Sequence, residues 1–355
     1  MIQTLLPDLT RIRPLMRELL AYHASNDKKS VVLLAVDGVR YADAEKNWRS
    51  AHHLQRIASV FPTTSSSCWL SALTGTSVAR HGCVGVVFRP DATGETINVF
   101  SHADGFTLEG EQTLFHDAAQ HGYLPVALTS DVGHLSCGWR QRLLSGARLI
   151  ESALHFHAPH RANGAIDIDS LINQLHQDIA RIAALPVPCF AWIFVDPDHY
   201  IHRHGYDSAI HEYLQKLDQL ATRWTEKGLV MVAHSDHGLV ATEHSPELEH
   251  YLHHYLKRKG LTMGGAGRTR WLYVPRQLST EQIISELSAN LPADVEVAKR
   301  SDYFPPTEPL AERVGEILLI SRSGLFLAEP GIKYEHGSLC RDEWEVPFAI
   351  WGDAS

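Results

Sequence analysis

An α/β fold with a mostly parallel central sheet flanked by helices is what this 355-residue sequence predicts, on three observations. Short runs rich in Val, Ile and Phe alternate with helical stretches, the pattern of strands buried on both faces of a parallel sheet. Several of these runs stop directly at acidic or imidazole side chains, and open α/β sheets bind ligands at such strand ends. A hydrophobic content of 44% over this length is enough for a large core.

Taken in order, the N-terminal MIQTLLPDLTRIRPLMRELL carries Pro7, Asp8 and alternating charges. It lacks the basic-then-apolar order of a signal peptide and predicts an amphipathic helix with Met16, Leu19 and Leu20 on one side. VVLLAV (31–36) is the first strand and ends at Asp37. The hydroxyl-rich FPTTSSSCW (61–69) leads into SSSCWLSAL, which predicts a helix beginning at Ser65 with Trp69 and Leu70 or Leu73 facing the core. A helix over 114–121 precedes the strand PVALTS (125–130). A helix over 166–185 precedes FAWIFV (190–195), which runs into Asp196-Pro197-Asp198-His199. A helix over 208–227 precedes LVMVA (229–233) and His234-Ser235-Asp236-His237-Gly238, and FAIWG (348–352) is the closing strand of the same kind.

Residues 245–335 differ. GGAGRTRWLYV, a helix over 281–290, ADVEVAKR and GEILLISRSGLFLAE predict a smaller α+β insert with antiparallel strands. The core is thus assigned to 1–244 and 336–355, with the insert shaping or covering the substrate pocket.

Composition narrows the function classes. Lys and Arg total 32 against 41 Asp and Glu, a net charge of −9, which argues against a basic face for duplex nucleic acid. No apolar run reaches the roughly 18 residues of a membrane helix, so no membrane partner is expected. The five cysteines are scattered and never paired as C-x-x-C, which fits a reduced cytoplasm and no cysteine-based zinc site.

The 23 histidines are the unusual component. Asp198 and His202 stand four residues apart and share a face on a first helical turn, where they can hold one metal ion. Asp236 and His237 bring an adjacent carboxylate and imidazole to another strand end, Asp37 adds a third carboxylate, and His336 lies in YEHGS. Singly, each has an ordinary explanation, Asp37-Gly38 as a turn for example. Jointly, at successive strand ends, they point to a metal centre.

VDGVR (36–40), FPTTSSS and LTGTSVARHG (73–82), followed by DPDHYIHRHG (196–205), SDHG (235–238) and YEHG…EVPFAIWG (334–352), resemble in order the motifs of the alkaline phosphatase superfamily. The nearest branch is the type I phosphodiesterase / nucleotide pyrophosphatase family, and the resemblance runs from about residue 31 to 352. It implies two divalent cations. One is held by Asp198, His202 and His336, the other by Asp37, Asp236, His237 and the oxygen of the nucleophile. Nitrogen and oxygen ligands suit zinc, with manganese or iron as alternatives.

In the family the nucleophile lies three residues after the proline and nine before the threonine of T-G. Counted from Pro62 and from Thr74, both rulers give Ser65, with Thr64 the alternative if the turn shifts by one. A serine alkoxide needs help to form near neutral pH. Two cations about 4 Å apart supply it while neutralising the phosphate. A helix starting at Ser65 also aims backbone amides such as that of Ser66 at a bound phosphate.

The expected activity is therefore hydrolysis of a small-molecule phosphoric ester, a diester before a monoester, through a phosphoseryl intermediate on Ser65. Phosphomonoester, phosphonate or sulfate-ester hydrolysis at the same site, and a non-catalytic metal-binding homologue, are the alternatives. Two departures bear on the substrate: Ser66 stands where nucleotide-cleaving members carry an aromatic residue, and Val86 stands at about the position of a phosphate-contacting asparagine. The sulfatase stretch C/S-x-P-x-R is absent after Pro62. Cys68, one helical turn from Ser65, reads as a packed thiol. His199, His204 and His234 adjoin ligand positions and read as carboxylate-orienting groups or as exposed side chains. His155, His157, His160, His250, His253 and His254 read as surface groups, and Arg40 and Lys46 either reach a substrate anion or face solvent.

Overall fold

The computed structural model describes residues 6–91, 94–103, 112–152, 165–327 and 330–352. His155, His157 and His160 lie outside them. The main sheet has seven strands, numbered here in chain order: β1 Val31–Val36, β2 His53–Ala58, β3 Leu124–Leu128, β4 Arg148–Ile150, β5 Cys189–Val195, β6 Val230–His234 and β7 Glu345–Trp351. Their order across the sheet is β2-β7-β6-β1-β5-β3-β4. β1 lies at the centre, parallel to β5 on one side and β6 on the other.

β7 differs from the sequence expectation. Its FAIWG run was grouped with the parallel strands, yet it pairs antiparallel with both β6 and β2. The cause is the route of the chain. His336 stands at the carboxyl end of the sheet, and only the short helix Arg341–Trp344 separates it from β7. The chain therefore enters β7 from the ligand side and must run back the other way.

Side chains alternate across the central strands with period two. Val32, Leu34, Val36, Ala191 and Ile193 pack against the helices Ile168–Ala183 and Ser208–Glu226. Val31, Leu33, Ala35, Trp192, Phe194 and Val232 belong to the opposite core, which contains residues of the helices Ile12–Ser25 and Ser65–Thr74. Met16, Leu19 and Leu20 form the buried stripe of the N-terminal helix, as expected. Helix ends follow local chemistry: Asp207 Oδ1 accepts from the amides of Ala209 and Ile210 to start Ser208–Glu226. Gly75, at φ +68°, closes Ser65–Thr74 in the left-handed conformation.

A second, antiparallel sheet orders the strands Val295–Lys299, Ile317–Ser321, Thr269–Tyr273, Thr262–Ala266, Val87–Phe88 and Ile97–Asn98. The helices Pro246–Lys259 and Thr280–Asn290 cover one face through Leu248, Leu252, Ile283 and Leu287. Trp271, Leu318 and Ile320 on the other face join the main core. The sequence reading did not name the helix Pro246–Lys259. Its buried residues, Leu248, Leu252 and Tyr255, are sparse among charged and imidazole groups, although Ser245 and Pro246 form a start signal. All five cysteines are free. Among the described residues, no helix is long and apolar enough to cross a membrane.

Gly205 ends the helix Asp198–His204 at φ +74°, and a Cβ there would lie 2.4 Å from Tyr334 Cε2. Gly228, at φ +91°, has nothing within 4 Å of its would-be Cβ. Gly228→Ala should cost about 1–2 kcal/mol, the backbone penalty alone. Gly205→Ala should cost about 1–3 kcal/mol more through overpacking. Urea midpoints of the two variants check this; equal losses would contradict the steric reading.

Candidate active site

Three adjacent strands, β6, β1 and β5, end in the residues the sequence singled out. Asp37 follows β1, Asp198 opens the helix after β5, and Asp236 and His237 follow β6. Tight turns bring them together. The Gly38 amide donates to Asp236 Oδ1 at 3.2 Å, and a Cβ on Gly38 would stand 2.9 Å from Asp198 Oδ1. The Val39 amide donates to Ser235 Oγ at 2.8 Å, and that hydroxyl donates to the His237 carbonyl at 2.9 Å. Oxygen and nitrogen atoms of Asp37, Asp236 and His237 thereby fall within 4.8 Å of one another.

Ser65 is the first residue of the helix Ser65–Thr74, whose N-cap Thr64 makes no side-chain cap bond. Its Oγ lies 3.0 Å from His237 Nε2 and donates to Asp37 Oδ1 at 3.4 Å. Thr63, Thr64, Ser66 and Ser67 are buried, which leaves Ser65 alone among the five hydroxyls with access to solvent. Helix burial does this sorting: Trp69, fully buried one turn on, donates its indole N–H to Asp37 Oδ2 at 3.1 Å. The indole thus ties the helix that begins at Ser65 to the end of β1.

The remaining residues meet from two directions. His202 Nε2 is 3.1 Å from Asp198 Oδ2, one helical turn apart, while His202 Nδ1 donates to the Tyr334 carbonyl at 2.7 Å. His336 Nδ1 donates to the Thr63 carbonyl at 2.8 Å. With Nδ1 engaged by a backbone carbonyl in each, Nε2 is the atom either imidazole can turn to a metal ion, the usual arrangement of a metal-binding histidine. The His336 ring stacks on that of His237 at 3.8 Å between centroids and stands 5.2 Å from that of His202. Its ligand atoms group with Asp198 and His237, and also with His202 and Glu335. The structure thus gathers all seven expected residues, with His336 at the junction, and adds Glu335.

The charges in this space demand compensation. Burial and the repulsion of Asp236 and Asp198 hold the Asp37 carboxyl well above its ordinary range. Burial, then Asp198, pushes Asp236 up to about 8. Burial also acts to raise Asp198, but His202 and its neighbours overcome it and hold that carboxyl low. His202 is raised to about 10 because Asp198 outweighs its burial, whereas burial and His336 drive His237 well below an ordinary imidazole. Asp198 Oδ1 and Asp236 Oδ2 are buried with no hydrogen-bond partner. Orphaned carboxylate oxygens gathered with imidazole nitrogens fit divalent cations of the zinc, manganese or iron class.

The other residues singled out in the sequence fall elsewhere. His199 and His204 are exposed, the latter stacked on Tyr200 at 4.3 Å, and His250, His253 and His254 are surface groups. His234 is buried against Trp69, and burial lowers it to about 4. Arg40 is engaged by Asp43 at 2.6 Å and Asp342 at 3.2 Å and lies over the Tyr206 ring; Lys46 is exposed. Cys68 is packed, its Sγ 3.3 Å from Ser59 Oγ, and burial raises its thiol well above the ordinary value. The roles of Trp69, Thr63 and Glu335 escaped the sequence reading. Only Glu335 left a signal, a carboxylate directly before His336. A cavity of about 340 Å³ opens against Glu335, lined by Val86, Val87, Asn98, Met263 and the glycine-rich strand 264–267.

A family model of type I phosphodiesterase / nucleotide pyrophosphatase matches residues 31–338. Among solved structures, phosphonoacetate hydrolase from Sinorhizobium meliloti 1021, in complex with phosphonoformate, is similar at a TM-score of 0.68 and 18% identity. The alignment covers 91% of this chain and 90% of that one. Murine ectonucleotide pyrophosphatase / phosphodiesterase 5 is similar at a TM-score of 0.65 and 14% identity, over 92% and 88% of the two chains. The human counterpart gives 0.65 and 14%, over 91% and 88%. No curated protein matches the chain by sequence.

Cation binding should be visible as stability. Adding zinc or manganese to chelator-treated protein at about 100 times its dissociation constant should stabilise it by about 2.7 kcal/mol per site. Asp236 binds its proton up to about 8 in the folded protein, so protons compete with the cation below that value. The rise in thermal midpoint should therefore grow between about pH 5.5 and 8. A rise that is constant over this range would contradict the raised proton affinity of Asp236.

Proposed function

Because the chain belongs to the type I phosphodiesterase / nucleotide pyrophosphatase family, a family of phosphoester hydrolases, we propose that it cleaves phosphodiesters by attack of Ser65 at a two-cation site. The observation that carries this reading is the isolation of one hydroxyl. Ser65 alone of the five has access to solvent, and its Oγ faces Asp37 and His237 at the start of a helix.

In this reading Asp37, Asp236, His237 and Ser65 hold one cation, and Asp198, His202 and His336 the other. When bound, the two cations neutralise the phosphate and lower the proton affinity of the serine hydroxyl. Ser65 Oγ bonds to phosphorus as its proton is lost, and the bond to the leaving alcohol breaks. Water then cleaves the phosphoseryl ester and restores the hydroxyl. The Ser66 amide, in the first turn of the helix, is left without an intrahelical acceptor and supports the phosphate oxygens. Trp69 keeps Asp37 oriented toward Ser65.

The leaving group we propose is not a nucleoside. Ser66 is fully buried and offers no stacking surface, and among the described residues none that lines the cavity beside Glu335 is aromatic. An aryl phosphodiester should be turned over with zinc or manganese, and Ser65→Ala should lose at least about 10³-fold in kcat. Wild-type turnover in that variant would eliminate the covalent route. A nucleoside 5′-aryl diester should gain less than about tenfold in kcat/KM over a simple bis-aryl diester. A gain of several hundredfold would reinstate nucleotide recognition.

A further inference from the structure

A buried ion pair sits beneath the loop that carries His336. Arg268 Nε is 3.1 Å from Glu343 Oε1, with the arginine 1% and the glutamate 0% exposed. Arg268 stands in the two-residue turn, Gly267-Arg268, between the strands Thr262–Ala266 and Thr269–Tyr273 of the second sheet. Glu343 belongs to the short helix before β7. A pair removed from water gains little net stability, because desolvation of both charges offsets most of their attraction. Its contacts indicate a geometric purpose.

The Arg268 amide donates to the His336 carbonyl at 2.8 Å. Its Nη2 donates to the Ser321 carbonyl at 3.4 Å and to Cys340 Sγ at 3.2 Å. The Glu343 carboxylate accepts from the Ser338 amide at 3.1 Å and the Cys340 amide at 3.0 Å. The Glu343 carbonyl accepts from the Gly238 amide at 3.0 Å, one residue beyond His237. From the opposite side, Thr63 Oγ1 accepts from the Gly337 amide at 3.0 Å and donates to the Ser338 carbonyl at 2.8 Å. The approach is tight enough that a Cβ on Gly267 would lie 2.0 Å from the His336 carbonyl oxygen.

We infer that Arg268, through its pairing with Glu343, is a positioning residue for His336, making the hairpin turn of the second sheet a working part of the cation centre. The inference rests on the reading of His336 as a ligand. Arg268 touches no reacting atom. It fixes the His336 carbonyl and, through Glu343, the backbone just beyond it, while the Thr63 carbonyl fixes the ring through Nδ1, and together they set the direction in which Nε2 points. The contact of Glu343 with the His237 loop is a backbone one, from its carbonyl to the Gly238 amide, and does not depend on the side-chain pair.

Two variants on different elements test this. Arg268→Lys keeps the buried charge but cannot span Glu343, Ser321 and Cys340 with one planar fork. Thr63→Val keeps the shape and removes both hydroxyl bonds. Each protein, with the wild type, is titrated with zinc against a chromophoric chelator. The visible spectrum of the cobalt-substituted form and the thermal midpoint of the chelator-treated form are recorded beside it. The wild type should hold two ions. Each variant should keep one at wild-type affinity and hold the other about 10–100-fold more weakly, the usual effect of losing an outer partner of a ligand. The cobalt bands of that one ion should shift, and the metal-free midpoint of Arg268→Lys should stay near wild type. Two ions at wild-type affinity in both variants overturn the inference. So does equal weakening of both ions in step with a fall in the metal-free midpoint, which is what general loosening would give. A wild type that holds no ion overturns the cation reading of the site, and the inference with it.

Discussion

Three carboxylates held together where water is largely excluded set the terms for everything around them. Asp37, Asp198 and Asp236 stand at the ends of three adjacent strands, and burial, reinforced by their mutual repulsion, pushes Asp37 and Asp236 toward the protonated form. No core of Val, Leu and Trp would place them there for stability's sake. The sheet brings the charges into one space, and the imidazoles of His202, His237 and His336 gather around them. The arrangement becomes favourable once positive charge enters. Fold and chemistry are therefore coupled: the parallel strands supply the crowding, and the crowding supplies affinity for cations.

The path of the chain explains which parts of this were legible in the sequence. β1, β5 and β6 are short apolar runs that end abruptly in acidic or imidazole residues, and a local pattern of that strength survives translation into structure. The helix at Ser65 was legible for the same reason, from the local run SSSCWLSAL, whereas the choice of Ser65 among the hydroxyls came from the family's spacing to Pro62 and Thr74. The direction of β7 was not, since it depends on where a loop far away in sequence returns to the sheet. The same holds for the indole bond from Trp69 to Asp37 and for the Thr63 carbonyl on His336. These contacts join residues that are 32 and 273 positions apart, and no periodicity encodes them. Glu335 is an intermediate case. Its neighbour His336 drew attention, but its closeness to His202 comes only from folding.

The second sheet is joined to the first more closely than its place in the sequence implies. One face shares the main core through Trp271, Leu318 and Ile320, and two of its strands come from 87–98. Its hairpin turn passes beneath the His336 loop, while its outer strands border the cavity beside Glu335. A change in that sheet can thus reach both the cavity beside Glu335 and the loop that carries His336.

The buried thiols have a consequence for how such a centre acquires its metal. Zinc prefers sulfur, but only the thiolate binds it. Cys83 is pushed up to about 12 by burial, Cys340 to about 11 by burial and Glu343, and Cys68 and Cys189 are raised by burial as well. These sulfurs stay protonated at neutral pH and make poor traps for a soft ion. A cation would have to displace a tightly held proton from each of these four sulfurs, a cost that favours the oxygen and nitrogen groups at the strand ends over them.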